Sequence, residues 1–398
     1  MSLFVTIVLD GVGIGAQPDA DDFGDVGSDT LGHVCQVARP DLPNLARWGL
    51  GNIRALTGMD GTRNPAADYG RLREVSAGKD STTGHWELAG IQLENPFPTY
   101  PDGFPDELID RFLLESGCDG ILANVAASGT EIIERVGSAH QESAWPIVYT
   151  SADSVFQVAA HVDVIPLERL YELCRLARDR VCVGPHAVGR VIARPFAGAE
   201  GSYSRLSAMR KDFALRPLKA PVQSRLQDAG IQTIAVGKIG ELFDRVGFDS
   251  SIKTRSNTEG IEATVKAIVA ATANGHPTFI WTNLVDFDQD FGHRNDAQGF
   301  ARALEHFDSN LPEIERALPH GSVLLLTADH GNDPTFPGTD HTREHVPLLV
   351  SYEGSGSDLG MRSSFADHAA SVAAYFGVEY DCAGDSFLPD SVRAASGN

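Results

Sequence analysis

The sequence predicts an α/β protein with a largely parallel central sheet and an inserted α/β segment. Apolar runs of strand length alternate with helical stretches, and the middle of the chain differs in composition. This alternation is typical of parallel sheets, whose strands are buried on both faces and are therefore apolar almost throughout. The strand candidates are residues 3–9, 231–237, 278–285, 322–328 and 346–352.

Three stretches show the apolar periodicity of helices: residues 261–275, 300–318 and 365–377. The last stretch ends at Gly377, and glycine commonly terminates helices because it adopts positive φ without strain. Together with the strand candidates, these helices predict an α/β core.

Prolines mark both ends of the inserted segment. They cluster near residues 95–107 and again near 216–223, and strands and helices mix between those positions. We therefore expect an inserted α/β domain over residues 98–220, within a core formed by residues 1–97 and 221–398.

The composition limits the partners and the compartment. The 398 residues carry 54 acidic and 32 basic side chains, a net charge of −22, which disfavours nucleic acid and anionic membranes. Five scattered cysteines without a CxxC pair are typical of reduced thiols in the cytoplasm. The apolar N-terminal run is short and lacks basic residues, which indicates a buried strand rather than a signal peptide. We expect no membrane span, and no obligate protein partner is evident.

Acidic residues and histidines follow three of the predicted core strands. They are Asp10 after the first strand; Asp286, Asp288 and His293 after residues 278–285; and Asp329, His330 and His341 after residues 322–328. Because the carboxyl ends of parallel strands meet at one edge, these side chains are expected to converge. Gathered carboxylates repel one another unless cations compensate them, and this donor set suits Mn²⁺, Zn²⁺ or Mg²⁺. Two such ions can clamp the oxygens of a phosphoryl transfer.

Simpler explanations exist for each part of this pattern. An aspartate after a strand is commonly a turn or cap residue. The stretch GVGIGA, residues 11–16, also fits the GxGxxG/A dinucleotide fingerprint. That fingerprint requires a helix N-terminus to bind the pyrophosphate, but the acid-rich segment QPDADDFGD follows here. The dinucleotide interpretation is therefore disfavoured.

A second stretch, AGKDSTTGHWELAG over residues 77–90, places Ser81, Thr82 and Thr83 in a row. Hydroxyl side chains in this context commonly cap a helix by accepting a backbone N–H. The alternative is that one of them is a nucleophile. This stretch alone favours capping, and both roles are compatible with one residue.

With these residues assembled, the chain resembles the phosphopentomutase family of the alkaline phosphatase superfamily. The similarity runs nearly end to end and is carried by long, specific segments. They are LDGVGIGAQPDADDFGDVGSDTLGH, GKDSTTGHWELAG, YTSADSVFQVAAH, GRVIARPF, NLVDFDQDFGHR and TADHGNDPTFPGTDHTREHVP.

The resemblance implies an alkaline phosphatase-like core with an inserted cap domain. It implies that ribose 1-phosphate and ribose 5-phosphate, and the 2-deoxyribose pair, are interconverted in the cytoplasm during nucleoside catabolism. Two Mn²⁺ ions are implied as cofactors. Their ligands would be Asp10, Asp329 and His330 beside the nucleophile, and Asp288, His293 and His341 at the other ion; Asp286 would be a neighbour only.

The resemblance also implies a nucleophile, Ser81, at a position where the family usually has threonine. The resting enzyme would carry phosphoserine, form a 1,5-bisphosphate from the pentose phosphate, and be primed by a sugar bisphosphate activator. Asp153 would contact the sugar, and Arg190, Arg205 and Lys238 would bind the substrate phosphate. Closure of the cap would exclude water.

Three other functions fit part of the pattern. A metal-dependent phosphatase or phosphodiesterase would use the same residues but release phosphate. A phosphoglycerate mutase is disfavoured because the resemblance extends through the cap. A metal-binding or sugar-phosphate-binding protein without catalysis would keep the ligands and leave Ser81 inert.

Overall fold

The computed structural model describes residues 2–151 and 153–393, which divide into two compact units. The smaller unit is Pro96–Arg216, and the larger unit comprises the chain up to Asn95 together with the chain from Pro217 onward. The boundaries expected from the sequence fall after residues 97 and 220. Each unit contains its own sheet.

The strands of the described residues are short to medium in length. They are β1 (Leu3–Leu9), β2 (Asp68–Leu72), β3 (Leu122–Ala126), β4 (Ile147–Thr150), β5 (Val155–His161), β6 (Arg190–Ala197), β7 (Ser204–Arg205), β8 (Lys211–Ala214), β9 (Gln232–Val236), β10 (Ser250–Ile252), β11 (Thr278–Leu284), β12 (Val323–Thr327), β13 (Val346–Ser351) and β14 (Asp358–Arg362). All five strands predicted from the sequence are present within one residue at each end.

Helices occupy most of the remaining regular structure. They are α1 (Thr30–Ala38), α2 (Pro43–Trp48), α3 (Leu50–Ile53), α4 (Ser81–Leu88), α5 (Asp106–Ser116), α6 (Gly129–Ser143), α7 (Leu167–Leu176), α8 (Val222–Asp228), α9 (Ile239–Leu242), α10 (Asn257–Asn274), α11 (Ala297–Ala317) and α12 (Ala366–Phe376). The three predicted helices correspond to α10, α11 and α12, and α12 ends at Gly377 with φ of 67°. None of the described helices combines the length and apolarity that a membrane span requires.

The larger unit is an eight-stranded sheet in the order β10-β9-β11-β1-β12-β13-β2-β14. Its strands run parallel except β13, which is antiparallel to both neighbours. The central strands β1, β11 and β12 are buried along their full lengths, as helices on both faces require. This confirms an α/β fold with a largely parallel sheet.

Two features of this sheet differ from the sequence-based expectation. The apolar run of β13 predicted one more parallel strand, but the strand runs the opposite way, because burial on both faces does not determine direction. The strands β2, β10 and β14 were missed because they are short or only half-buried.

The smaller unit is a six-stranded mixed sheet in which β3, β4, β5, β6 and β7 are adjacent in that order and β8 also pairs with β6. One apolar cluster includes Phe112 of α5 and Leu170 of α7, packed with Phe156 of β5. A second cluster includes Ile132 of α6 and Tyr149 of β4. The two clusters cover the two faces of the sheet.

Candidate active site

The predicted site residues of the larger unit converge at one edge of its sheet. The strands β11, β1 and β12 are adjacent, so their carboxyl ends lie side by side. Asp10 follows β1 directly, Asp329 lies two residues beyond β12, and Asp288 lies in a π-helical turn, Phe287–Phe291, after β11. Parallel strand direction therefore brings Asp10 together with residues that are more than 270 positions away in sequence.

The first ligand group comprises Asp10, Asp329 and His330, whose donor atoms all lie within 4.8 Å of one another. His330 Nε2 is 3.4 Å from Asp10 Oδ1 and 3.3 Å from Asp329 Oδ2. All three residues are buried. His85 Nδ1 lies 3.0 Å from Asp329 Oδ2 and fixes that carboxylate from a further side.

The second ligand group comprises Asp288, His293 and His341, again with donor atoms within 4.8 Å. Each of the two imidazole Nε2 atoms is 3.3 Å from an Asp288 oxygen. Asn332 donates a hydrogen bond of 2.7 Å to Asp288, and His293 Nδ1 lies 2.6 Å from the Thr339 carbonyl oxygen. The two ligand groups adjoin, since the rings of His330 and His341 have centroids 4.0 Å apart.

Mutual electrostatics dominate both ligand groups. Burial alone would lower the pKa of His330, but the charges of Asp329, Asp288 and Asp10 raise it to about 10. Burial opposes ionisation of Asp288 as well, yet the neighbouring imidazoles of His341 and His293 hold its pKa well below the ordinary value. The groups therefore form a dense arrangement of opposite charges that a divalent cation is able to organise.

The residues present fit divalent metal ions. Asp10 Oδ1 and His341 Nε2 are buried and form no hydrogen bond among the described residues. Their nearest oppositely charged groups are His330 at 3.4 Å and Asp288 at 3.3 Å, respectively. Each ligand group offers only carboxylate oxygens and imidazole nitrogens, which suit Mn²⁺, Mg²⁺ or Zn²⁺. Asp286 is not part of either group: it exchanges two hydrogen bonds with Asn257, at 2.8 and 2.9 Å.

Ser81 is the first residue of α4 and lies next to the first ligand group. Its Oγ is 3.0 Å from His330 Nε2 and accepts a hydrogen bond of 2.8 Å from Lys238 Nζ. Lys238 also forms an ion pair with Asp10. Burial alone would lower the pKa of Lys238, but the charge of Asp10 outweighs it and raises the pKa, so the ammonium group stays protonated.

The expectation that a hydroxyl residue caps this helix is wrong. The N-cap is Asp80, whose Oδ1 accepts hydrogen bonds from the backbone N–H groups of Thr82 and Thr83, at 2.9 and 3.2 Å. Asp80 accepts these bonds better than a hydroxyl because it is charged. The two N–H groups are occupied, and the Ser81 hydroxyl is directed to His330 and Lys238 instead.

In the smaller unit, the predicted substrate residues are not all together. Arg190 lies 3.8 Å from Asp153 and 3.6 Å from Asp212, at the start of β6. Arg205 lies on β7 opposite Phe196, near the other end of β6. Six residues of strand separate the two positions, roughly 20 Å along the backbone. Arg190 therefore pairs directly with Asp153, and among the described residues it is connected to the cleft that Arg205 lines only through Asp212, which also pairs with Arg210.

Arg205 belongs instead to a set of three arginines that sequence reasoning missed. Arg194, Arg205 and Arg210 line one small cleft. The buried hydroxyl of Tyr149 lies nearby, and burial raises its pKa above the ordinary value although these three cations oppose the rise. The signal was available in GRVIARPF, because residues four apart on a strand, Arg190 and Arg194, share a face.

The glycines of GVGIGA have a structural explanation that excludes the dinucleotide fingerprint. Gly11 has φ of 72°, and a Cβ at Gly13 would overlap the carboxylate of Glu344. Glu344 accepts hydrogen bonds from the backbone N–H groups of Gly15 and Thr30, at 3.0 and 2.9 Å. The next α-helix begins only at Thr30, so no helix N-terminus follows the glycines directly.

The chain is similar to a family of metal-dependent enzymes over nearly its whole length. A family model described as Metalloenzyme superfamily matches residues 2–380. A mixed α/β fold with two Asp/His ligand groups agrees with that class: a metalloenzyme.

Full-length relatives narrow the class to one family. A protein named phosphopentomutase from Caldanaerobacter subterraneus subsp. tengcongensis is 52% identical to this chain over 387 residues, which cover 96% of each chain. Another, from Symbiobacterium thermophilum, is 50% identical over 392 residues, which cover 98% of each chain. A third, from Anaeromyxobacter sp., is 51% identical over 98% of this chain and 99% of its own. The chain belongs to the phosphopentomutase family, and it is an isomerase of the phosphomutase type.

Proposed function

We propose that this chain interconverts ribose 1-phosphate and ribose 5-phosphate, and the corresponding 2-deoxyribose phosphates, through phosphorylated Ser81. The observation that carries the proposal is the position of the Ser81 hydroxyl, 3.0 Å from His330 and 2.8 Å from Lys238, beside two adjoining Asp/His groups. The name phosphopentomutase, which relatives of 52% and 50% identity share, supports a pentose phosphate as the substrate.

Two divalent ions, Mn²⁺ by family resemblance, would be held by the first and second ligand groups. When bound, they would stabilise negative charge on the serine oxygen and on the transferring phosphoryl group. The protein supplies the fixed geometry around them. His85 contacts both Asp329 and the Ser81 carbonyl oxygen, at 3.0 and 2.8 Å, and so ties the first ligand group to the nucleophile.

The proposed cycle conserves phosphate. Phosphoserine 81 passes its phosphoryl group to a free hydroxyl of the pentose monophosphate: the serine O–P bond breaks, the new O–P bond forms, and the hydroxyl proton goes to the serine oxygen. The resulting 1,5-bisphosphate turns around, and its other phosphoryl group is transferred to Ser81. In this step the sugar O–P bond breaks, the serine O–P bond forms, and the serine proton goes to the sugar oxygen. A sugar bisphosphate activator would prime the free serine in the same way.

Residues of the chain have separate tasks in this cycle. Lys238 donates to the serine oxygen, which lowers the energy of a developing negative charge there. Asp153 and Arg190 are proposed to contact the sugar and the phosphate that does not react, and Arg205 to bind phosphate. We further propose that the smaller unit acts as a cap that keeps water from phosphoserine 81.

The proposed partners are small pentose phosphates rather than nucleic acid or membranes, in keeping with the net charge of −22. The proposed compartment is the cytoplasm. Five unpaired cysteines among the described residues support it, because free thiols persist in reducing surroundings.

A product balance tests the proposal. The purified chain is incubated with Mn²⁺, ribose 1-phosphate and a trace of sugar bisphosphate, and ribose 5-phosphate and free phosphate are measured together. We expect ribose 5-phosphate without free phosphate, and a phosphorylated peptide containing Ser81 by mass spectrometry. Free phosphate in place of ribose 5-phosphate would identify a metal-dependent phosphatase instead.

A matched pair of variants tests the nucleophile. Ser81→Ala is expected to lower turnover by at least about 10⁴-fold. Thr82→Val, which removes the neighbouring hydroxyl and keeps its shape, is expected to retain activity. The reverse result would move the nucleophile to Thr82, and activity in both variants would exclude a phosphoserine in this stretch.

A further inference from the structure

Arg343 is a fully buried cation of the larger unit, and the proposed cycle does not use it. Among the described residues of that unit it is the largest buried side chain that carries a charge. It is 1% exposed, and its guanidinium lies over the ring of Phe23 at 4.7 Å. Two acidic side chains contact it: Glu74 at 2.8 Å from Nη1 and Asp19 at 2.9 Å from Nη2. An isolated buried guanidinium would be unstable, so this site is built specifically to hold one.

The same guanidinium binds three main-chain carbonyls of one segment. Nη1 donates to the carbonyl oxygens of Ser76 and Gly78, at 2.9 and 2.5 Å, and Nη2 donates to that of Glu74, at 2.9 Å. Alternate carbonyls over five residues are thereby fixed by one rigid, planar group. A lysine carries the same charge but lacks the planar fork that reaches all three.

The segment held in this way leads directly into the nucleophile. Residues 74–80 end at the N-cap Asp80, and Ser81 follows. A second connection supports the first: Asp25 accepts the backbone N–H of Arg343, at 2.8 Å, and the ammonium of Lys79, at 3.0 Å. The position of the Ser81 hydroxyl therefore depends on a path that Arg343 fixes at several points.

Arg343 also lies two residues after His341 of the second ligand group. The short segment 341–343 thus begins with His341, a member of the second ligand group, and ends with Arg343, which supports the loop before Ser81. We infer that Arg343 is a positioning residue for phosphoryl transfer: it sets the distance between Ser81 and the two ligand groups without contacting the reacting atoms. This inference rests on the proposed role of Ser81.

The expected kinetic consequence is selective. Misplacing a nucleophile by about 1 Å slows chemistry by about a hundredfold, while contacts to the substrate elsewhere are unchanged. Arg343→Lys should therefore lower kcat by about 30- to 100-fold and change KM by less than about threefold. The rate at which a sugar bisphosphate phosphorylates Ser81 should fall by the same factor as kcat.

Arg362→Lys is the matched control. Arg362 donates to the Asp367 carboxylate at 2.7 Å and to the Asp385 carbonyl at 3.1 Å, so it is also a guanidinium bridging a carboxylate and main chain, but it lies outside the site. It should show a comparable change in Tm and unchanged kcat. Bound metal, measured in every variant, should equal that of the unmodified chain.

A second variant keeps the test decisive if Arg343→Lys does not fold. Asp25→Asn leaves the guanidinium in place but loosens Lys79 and the Arg343 main chain, and should lower kcat by about tenfold with KM unchanged. Normal kcat in a folded Arg343→Lys, or normal kcat in Asp25→Asn when Arg343→Lys is unfolded, would overturn the inference. So would a loss of kcat that follows metal loss or is matched in Arg362→Lys. Turnover in Ser81→Ala would instead overturn the proposed nucleophile.

Discussion

The two ligand groups are chemically alike but differ in how the protein holds them. The side chains of Asp10, Asp329 and His330 are entirely buried, whereas the His293 side chain is 35% exposed. Buried side chains hold the first group: His85 contacts Asp329, and Lys238 pairs with Asp10. The second group relies partly on the Thr339 carbonyl, within an exposed stretch between residues 335 and 340.

This difference assigns different tasks to the two groups. The first group touches the Ser81 hydroxyl and is fixed by the sheet ends and the interior, so it sets the geometry of the proposed nucleophile. The second group opens toward solvent through His293, so an ion there is expected to exchange more readily. Rigid support accompanies the residues nearest to the chemistry.

Removing a carboxylate from the first group should have the largest effect. Asp329→Asn is expected to lower kcat by about a thousandfold and to eliminate one equivalent of bound metal at any practical Mn²⁺ concentration. The loss follows because a buried ligand cannot be replaced by water from solvent. Metal analysis of the desalted variant checks this, and two tightly bound ions would contradict the comparison.

Removing the exposed histidine of the second group should have an intermediate effect. His293→Ala is expected to weaken metal binding at that group by roughly a hundredfold, with turnover recovering toward normal at high Mn²⁺ because water is able to take the vacant position. Turnover measured across a Mn²⁺ titration reports it. His320→Ala, at a histidine that is 86% exposed and pairs with Glu353, is the control. Failure to recover at saturating Mn²⁺ would place both groups in the same buried class.

The smallest effect on turnover should come from Glu344, which supports the loop after Asp10 and whose main effect is on stability. Burial raises the pKa of Glu344 to about 7, from an ordinary value of 4.5. The folded state binds this proton more tightly than the unfolded state, so protonated Glu344 stabilises the fold. That contribution to the free energy of unfolding, about 3 kcal/mol, is complete below pH 4.5 and is lost as the pH rises through about 7.

Glu344→Gln should remove that pH dependence. The free energy of unfolding from urea titrations at pH 5, 6, 7 and 8, all at the same Mn²⁺ concentration, gives the difference between the two proteins. If the free energies of unfolding of the two proteins change with pH in parallel, Glu344 is ionised over the whole range from pH 5 to 8. That result would contradict the view that the first group has the more deeply buried surroundings.

Much of the site was predictable because its logic is local. Apolar strands followed by Asp10, Asp288 and Asp329 predict that these carboxylates converge, since parallel strands share one carboxyl edge, and the structure brings them together there. Edge strands such as β2 have weak patterns, and the direction of β13 depends on its neighbours rather than on its own residues.

Other features are not predictable because they depend on partners distant in sequence. The main-chain groups that the side chains of Arg343 and Glu344 contact lie at least 265 and 314 residues away, respectively. A charged residue in a single sequence does not indicate whether it faces water or three carbonyls. The separation of Arg190 from Arg205 likewise follows from strand pairing.

The adjacency of Arg343 and Glu344 has a consequence for how this family can change in length. In extended chain, consecutive side chains point to opposite sides, so Arg343 faces the nucleophile loop and Glu344 faces the glycines after Asp10. Deleting one residue between His341 and Arg343 would exchange the two sides and set a carboxylate against carbonyl oxygens. Insertions and deletions should therefore be eliminated here during evolution. Length changes nearby should be confined to the exposed residues 337–338, because the Thr339 carbonyl contacts His293 and Asp340 pairs with Lys79.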